Sequence, residues 1–337
     1  MVILVTGGAG FIGSHTCVEL LEHGHEVVVV DNYSNSSPAA LEELQRLAGR
    51  PLVAYELDLR DHDGLSRVFD SHPVDAVIHF GAKKAVRESL RIPVEYFDIN
   101  IAGTTSLLRA MLEHGVRRLV FSSSCSIYGD QYRVPIVEDD PPHPTNPYAR
   151  SKLICEQILT DACTRHPDLS VIALRYFNLV GAHESGSLGE DPRGVPNNLM
   201  PYMMQVAVGR LEKLQVFGGD YPTPDGSGIR DYLHVMDVAD AHRVAIEHLD
   251  DAPRMRAFNL GTGIGASVLQ LVAALQEASG IAIPYEVVGR QTGDAASLIA
   301  DPSRIDKEWG WRATKDIQAM CRDAWRFQRL HPNGYSS

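Results

Sequence analysis

Cysteine is too scarce and too scattered to hold this chain together. Cys17, Cys125, Cys155, Cys163 and Cys321 are the five in 337 residues, with no C-x-x-C pair and no His/Cys cluster at zinc spacing. That excludes a disulfide-stapled scaffold and a structural zinc module, and reduced thiols in a cytoplasmic protein without metal are expected. No apolar run approaches the ~20 residues of a membrane helix. The first strand begins at Val2, so no signal peptide is expected. Positive charge is also short: 31 Lys+Arg against 43 Asp+Glu leave −12. This argues against nucleic acid or an anionic membrane as partner, and a phosphorylated ligand would need a local basic pocket. There is no internal repeat, low-complexity tract or flexible linker.

What is present begins at the first residues. Val2–Val5 is an apolar, β-branched-rich run that leads into Gly7, Gly10 and Gly13, spaced by three, with Phe11 and Ile12 opening an apolar helix. Glycine at these places permits a tight turn, close approach of backbone to a pyrophosphate and close packing of helix on strand. The helix N-terminus presents free N–H groups to phosphate. Asp31 ends the next apolar run, Glu26–Val30. A carboxylate there accepts from an adenosine ribose hydroxyl and repels a 2′-phosphate, which favours NAD over NADP. A glycine triplet alone is a weak signal, but its strand–helix setting and the following Asp favour a dinucleotide site over an unliganded turn.

Strands are expected at 2–5, 26–30, 52–57, 76–80, 117–122 and 171–175, and helices at 11–23, 38–48, 63–71, 93–114 and 148–165. The alternation implies a doubly wound parallel sheet of the Rossmann kind, with the ligand crevice at the carboxyl ends of its strands. After Arg175 the texture changes to short apolar runs among Gly, Pro, Asn and Asp, read as a smaller C-terminal substrate-binding lobe. A strand at 256–259 is expected to join the main sheet, followed by a helix at 266–279 and a strand of the small lobe at 284–288. The division expected is 1–176 plus roughly 231–262 for the nucleotide-binding domain, and roughly 177–230 plus 263–337 for the smaller lobe.

Phe121-Ser-Ser-Ser124 ends a strand, and Tyr148 and Lys152 stand four apart, on one face of a helix. A phenol titrates near about 10 and is a poor base unless its anion is stabilised. An ammonium and a cationic nicotinamide both favour the phenolate. Tyr148 is therefore the candidate base for a substrate alcohol, Ser124 the group that orients that hydroxyl, and Lys152 a ligand of the nicotinamide ribose as well. A chance Tyr/Lys pair would be the better reading of Y-x-x-x-K alone, but not beside the nucleotide turn and the strand-end serine.

With these motifs the chain resembles the UDP-galactose 4-epimerase family of the extended short-chain dehydrogenase/reductases. The similar stretches are Val5–Thr16, Val77–Phe80, Phe121–Ser124 with Ile127–Gln131, Arg175–Asn178, Pro196–Tyr202, Arg230–Asp237 and His331–Tyr335. The likeness spans nearly the whole chain, and Pro196–Tyr202 is far more specific than the glycine turn. It implies tightly bound NAD that is not consumed. Tyr148 would deprotonate the sugar 4-hydroxyl, a 4-keto sugar would form and turn over, and hydride would return to the opposite face, interconverting UDP-galactose and UDP-glucose. It further implies that Asp31, Asn32, Asn35 and Ser36 hold the adenosine ribose, that Asp58 and Leu59 flank the adenine, and that Lys84 lies near the nicotinamide ribose and the substrate. Phe11, Ile12, Phe80 and Tyr176 complete the implied cofactor contacts. Asn178, Asn198, Leu199, Phe217, Arg230, Arg290 and Asp294 are the implied UDP-sugar contacts, with Ser124 and Tyr148. Arg230 suits a diphosphate clamp but also an ion pair with Asp231, and Asn198 suits a helix cap. A homodimer paired through helices 93–114 and 148–165 is implied too, although either helix can simply pack on the sheet.

The chain departs from the family pattern at several points. Arg290-Gln-Thr-Gly-Asp294 replaces Arg-Arg-Glu-Gly-Asp, so Gln291 stands in place of a phosphate-binding arginine. Losing that contact costs about 1.5–3 kcal/mol, which a displaced Arg290 can offset. Leu298 is intermediate at a position whose size limits bulk on sugar carbon 2, so some tolerance of N-acetyl sugars is expected, and a UDP-pentose is a further alternative. Ile99 replaces an asparagine that contacts the cofactor, with Asn100 beside it as a possible substitute. Gly81-Ala82 and Arg87 also differ. A 4,6-dehydratase would need an Asp-Glu pair where Cys125-Ser126 stands, and a net reductase is disfavoured by Asp31. A non-catalytic nucleotide sensor on the same fold remains the alternative of another class.

Overall fold

Valine- and isoleucine-rich runs too short for helices become strands, and where both faces are covered they are buried residue after residue. In the computed structural model of the chain, which describes residues 1–130, 133–251, 254–290 and 295–335, β1 (Val2–Thr6) and β2 (Glu26–Asp31) are of this type. β3 (Val53–Glu56), β4 (Ala76–His79), β5 (Arg118–Ser124) and β6 (Ser170–Tyr176) follow. The shorter strands are β7 (Asn178–Val180), β8 (Leu214–Phe217), β9 (Ile229–His234), β10 (Met255–Leu260), β11 (Gly265–Ser267), β12 (Tyr285–Val288) and β13 (Ser297–Leu298). The helices are α1 (Phe11–Glu22), α2 (Pro38–Ala48), α3 (His62–Ser71), α4 (Val86–Arg91), α5 (Pro93–Phe97), α6 (Gly103–Glu113), α7 (Pro147–Arg165), α8 (Leu199–Ala207), α9 (Val235–Glu247), α10 (Val268–Ser279), α11 (Ser303–Trp309) and α12 (Ile317–Leu330).

Seven strands form one parallel sheet in the order β10-β6-β5-β4-β1-β2-β3. The order reverses between β1 and β4, whose register pairs Thr6 with His79. A doubly wound sheet opens its ligand crevice beyond the strand ends at such a switch point. β3 is an edge strand, with Val53 exposed.

The chain divides into two compact units. The first comprises Met1–Ile127, Pro144–Arg175 and Ala239–Phe258. Its core joins Leu4, Val28, Val77, Leu107, Phe121 and Leu159 across sheet and helices. The second comprises Tyr128–His143, Tyr176–Val238 and Asn259–Ser337. Its core is built from Met203, Val216, Tyr232, Leu271 and Cys321. The second unit takes in 128–143, 176, 231–238 and 259–262, which composition alone would leave in the first. Pairing explains this: β9 bonds β7, β11 and β13, and Ile136 bridges Ala300.

The helix expected over 93–114 runs unbroken through 93–113, with α5 and α6 joined by one widened turn. Between α5 and α6 the backbone widens into a π-helical turn, Asp98–Ala102, where Asn100 gathers several partners. The Asn100 carbonyl accepts from Thr104 Oγ1 (2.6 Å) and Cys155 Sγ (3.4 Å). Its amide bonds Lys83 and Ser151. π-Turns are often found where a helix is shaped by function. α4 was not expected, and Pro93 at the first turn of α5 separates the two.

Candidate active site

The glycine turn forms where backbone must touch backbone. Gly7 has φ +70°, and a Cβ there would lie 2.8 Å from Gly81 N, across the switch point. A Cβ on Gly13 would strike the Gly7 carbonyl. Gly10 caps α1 with no side-chain bond, and no acid lies in the first helical turn. The leading N–H groups are thus uncovered by any side chain, which suits a pyrophosphate. Phe11 and Ile12 are half-buried behind them.

Asp31 is buried at the end of β2. Its Oδ2 accepts from Ala9 N (3.0 Å), and its Oδ1 from Tyr33 N and Ser36 Oγ (2.9 Å each). The carboxylate is held rigid beside the glycine turn, while Asn32 and Asn35 are exposed. Asn32 donates to Asp58 (3.2 Å). The Arg60 guanidinium grips Asp58 and pulls its pKa down to about 2. Leu59 is half-buried and lies under Gly81. The Phe80 ring packs on His242 at 4.6 Å. Lys84 is exposed, 5.9 Å above the Phe11 ring. A turn that rejects a Cβ, an uncapped helix end and a fixed carboxylate fit a dinucleotide.

The reacting groups come from two elements. β5 ends in Ser122, Ser123 and Ser124. α7 starts cleanly because Asn146 Oδ1 caps Ala149 N (2.9 Å) with Pro147 in the first turn. Tyr148 and Lys152 then lie one turn apart, both buried. Burial raises the Tyr148 phenol to about 12, against a bond with Ser124 that lowers it. Ser124 Oγ donates to Ser126 Oγ (3.0 Å) and accepts from Ser126 N (3.2 Å). Burial lowers the Lys152 ammonium to about 8. Lys152 donates to the Ser122 carbonyl (2.8 Å) and sits 4.9 Å over the Phe121 ring. Ser124, Tyr148 and Lys152 are therefore together, with the ammonium turned onto the β5 backbone. The sequence reading missed this carbonyl, and also Glu156, one turn beyond Lys152.

Asn100 does not stand free to replace the missing asparagine at 99. Its Oδ1 takes Lys83 N (2.8 Å), and its Nδ2 gives to Lys83 O (3.0 Å) and Ser151 Oγ (2.9 Å). It ties the loop that carries Lys84 to the helix that carries Tyr148.

The second unit holds the residues implied for a UDP-sugar. Tyr176 is buried, and Asn178, Leu199, Phe217 and Arg230 are half-buried. Asn198 occupies the cap position of α8 but does not cap it. It donates to Glu190 (3.1 Å) instead. Arg230 donates to Ile229 O (2.8 Å) rather than to Asp231. Asp231 is buried and serves Thr262, Gly263 and Ala300. The register of β13 sets Leu298 beside Arg230. Arg290 holds Asp220 through Nε (2.7 Å) and stacks over Tyr221 at 4.4 Å. Gln291 and Asp294 lie outside the described residues. Among those described, no group of acids, histidines and cysteines could hold a metal, and no helix is long and apolar enough to cross a membrane.

A phenol, an ammonium and a strand-end hydroxyl at the carboxyl edge of a dinucleotide-type sheet define an enzyme class that acts on alcohols with a nucleotide cofactor. Known proteins narrow that class. The profile of the NAD dependent epimerase/dehydratase family matches residues 3–261, and the chain belongs to that family. It is 52% identical over 337 residues to a UDP-glucose 4-epimerase of Bacillus subtilis (strain 168), covering 100% of this chain and 99% of that one. A mouse UDP-glucose 4-epimerase is 48% identical over 345 residues, covering 99% of each. Among solved structures, the Stenotrophomonas UDP-glucose 4-epimerase with bound NAD and formylated UDP-arabinopyranose has a TM-score of 0.96 at 48% identity, covering 98% of this chain and 99% of that one. The Bifidobacterium longum UDP-glucose 4-epimerase in complex with NAD+ and UDP also has a TM-score of 0.96 at 48% identity, covering 99% and 100%.

Proposed function

We propose that this chain is an NAD-dependent UDP-glucose 4-epimerase that interconverts UDP-galactose and UDP-glucose. The observation that carries the reading is Tyr148, buried against Ser124 at the end of β5 and one helical turn before Lys152, in a chain of the NAD dependent epimerase/dehydratase family. NAD, when bound, would supply the acceptor and donor of hydride for sugar carbon 4. Ser124 accepts or donates at the 4-hydroxyl and holds it towards Tyr148. Tyr148 removes the hydroxyl proton and later gives one back. Gly7, Gly10 and Gly13 with the first turn of α1 receive the pyrophosphate of the cofactor, and Asp31 and Ser36 its adenosine ribose. Asn178, Asn198, Leu199, Phe217 and Arg230 of the second unit receive the uridine diphosphate, with Arg290 and Asp294.

Turnover of UDP-galactose in deuterated water tests the route. Hydrogen at carbon 4 is retained if it travels as hydride, so the UDP-glucose formed should carry no deuterium there. Deuterium at carbon 4 would mean proton abstraction from carbon and sink the reading.

Leu298 beside Arg230 supports a broader pocket than a tyrosine would leave. Slow turnover of UDP-N-acetylglucosamine is expected at high enzyme concentration, and complete inertness contradicts it. We also assign the protein to the cytoplasm, from its free cysteines, and to a homodimer formed through 93–114 and 148–165. Val94 on α5, an apolar side chain 79% exposed, supports the dimer.

A further inference from the structure

The stripe on α7 that carries Tyr148 and Lys152 continues one turn further to Glu156, which is buried. Its carboxylate is not idle. Oε1 accepts from Ser123 Oγ at 2.5 Å, on the strand that ends in Ser124. Arg175 at the end of β6 closes the other side, with Nε on Oε1 (3.0 Å) and Nη2 on Oε2 (2.6 Å). Three successive serines of β5 therefore meet three successive turns of α7: Ser124 meets Tyr148, the Ser122 carbonyl meets Lys152, and Ser123 meets Glu156. A bidentate guanidinium–carboxylate pair fixes direction as well as distance.

We infer that Glu156 and Arg175 are a positioning pair for the candidate reaction, fixing the register of α7 against β5 and β6 so that Tyr148 meets Ser124 and Lys152 meets Ser122. This rests on the epimerase reading for the reaction, but not for the geometry. A helix that slid or rolled by a fraction of a turn would carry the phenol away from the hydroxyl it must serve, and misplacement by about 1 Å can cost about 100-fold in rate. The pair also contributes charge. Cys155 and Glu156 on α7 and His79 on β4 are the titratable groups facing Lys152, and Arg175 faces Glu156. Burial depresses the Lys152 ammonium, and Cys155 and Glu156 act against that.

The test compares wild-type holoenzyme with Glu156→Gln and Ser123→Ala. The first removes the charge. The second removes only the strand-side bond, strands no charge and serves if the first fails to fold. Two readouts are taken: kcat against KM for UDP-galactose, and the titration of Lys152 followed by carbon NMR of its labelled side chain. Glu156→Gln should lower kcat by about 100-fold with KM little changed, and move the Lys152 titration to lower pH. Ser123→Ala should lower kcat severalfold, again without raising KM. Folded variants with wild-type kcat and an unmoved Lys152 titration would overturn the inference, as would Ser123→Ala with unaltered kcat when only it can be measured. A wild type inactive on UDP-sugars would instead defeat the epimerase reading, and the Lys152 titration would still decide the inference.

Discussion

At the scale of single residues, the chemistry turns on a phenol that is harder to ionise in the free protein than in water. Burial holds Tyr148 at about 12, so its proton becomes removable only when positive charge arrives beside it. Lys152, lowered to about 8 and bonded to Ser122, is the resident cation nearest in sequence on the same face. Tyr148→Phe should therefore lower kcat by about 10²–10⁴-fold while leaving KM for UDP-galactose within a small factor. Equal losses in binding and turnover would show that Tyr148 holds substrate rather than moving its proton. Gly13→Ala is expected to act earlier. Its new methyl meets the Gly7 carbonyl, so the purified variant should retain far less NAD than wild type, measured by releasing the nucleotide with acid. Full retention would contradict the assignment of that turn.

At the scale of elements, packing decides what the sequence pattern leaves open. Periodicity finds α7 and its Tyr148/Lys152 face, since four-residue spacing places both on one side of any helix. It also holds the signal for Glu156, at the next step of the same stripe. It does not find the π-turn at 98–102, nor the distant partners, Lys83 and Ser151, that take the Asn100 side chain there. Whether Asn100 can stand in for the asparagine missing at 99 is likewise decided by these partners and not by its neighbour in sequence. Another buried partner set gives a pH prediction. His79 on β4 lies between Thr6 Oγ1 (2.7 Å) and Thr104 Oγ1 (3.0 Å), and burial lowers it to about 3. Unfolded, it titrates near about 6.5. Above that value the ring is neutral in both states. As pH falls below it, the unfolded chain binds a proton that the folded chain refuses, so stability is lost from about pH 6.5 down towards the folded value. Urea midpoints should fall across this window, and His79→Gln should flatten the slope. An unchanged slope in the variant would remove His79 from the explanation.

At the scale of the whole molecule, the doubly wound sheet was legible because continuous Val/Ile/Leu runs alternating with helical patterns permit little else. The sequence pattern was less informative for the second unit, whose short strands gain their places through pairing: β9 is recruited by β7, β11 and β13. Composition carries no trace of such non-local bonds. The dimer proposal belongs to this scale. Sedimentation should give twice the chain mass, and Val94→Asp should shift it towards one; a wild-type monomer contradicts the proposal. The central claim, that the resident nucleotide lets this chain invert carbon 4 of a UDP-hexose, is tested most directly by proton NMR of purified protein with UDP-galactose and no added NAD. UDP-glucose should appear, and the same mixture should be reached from either sugar. An unchanged anomeric spectrum, with NAD shown to be in the protein, would contradict it.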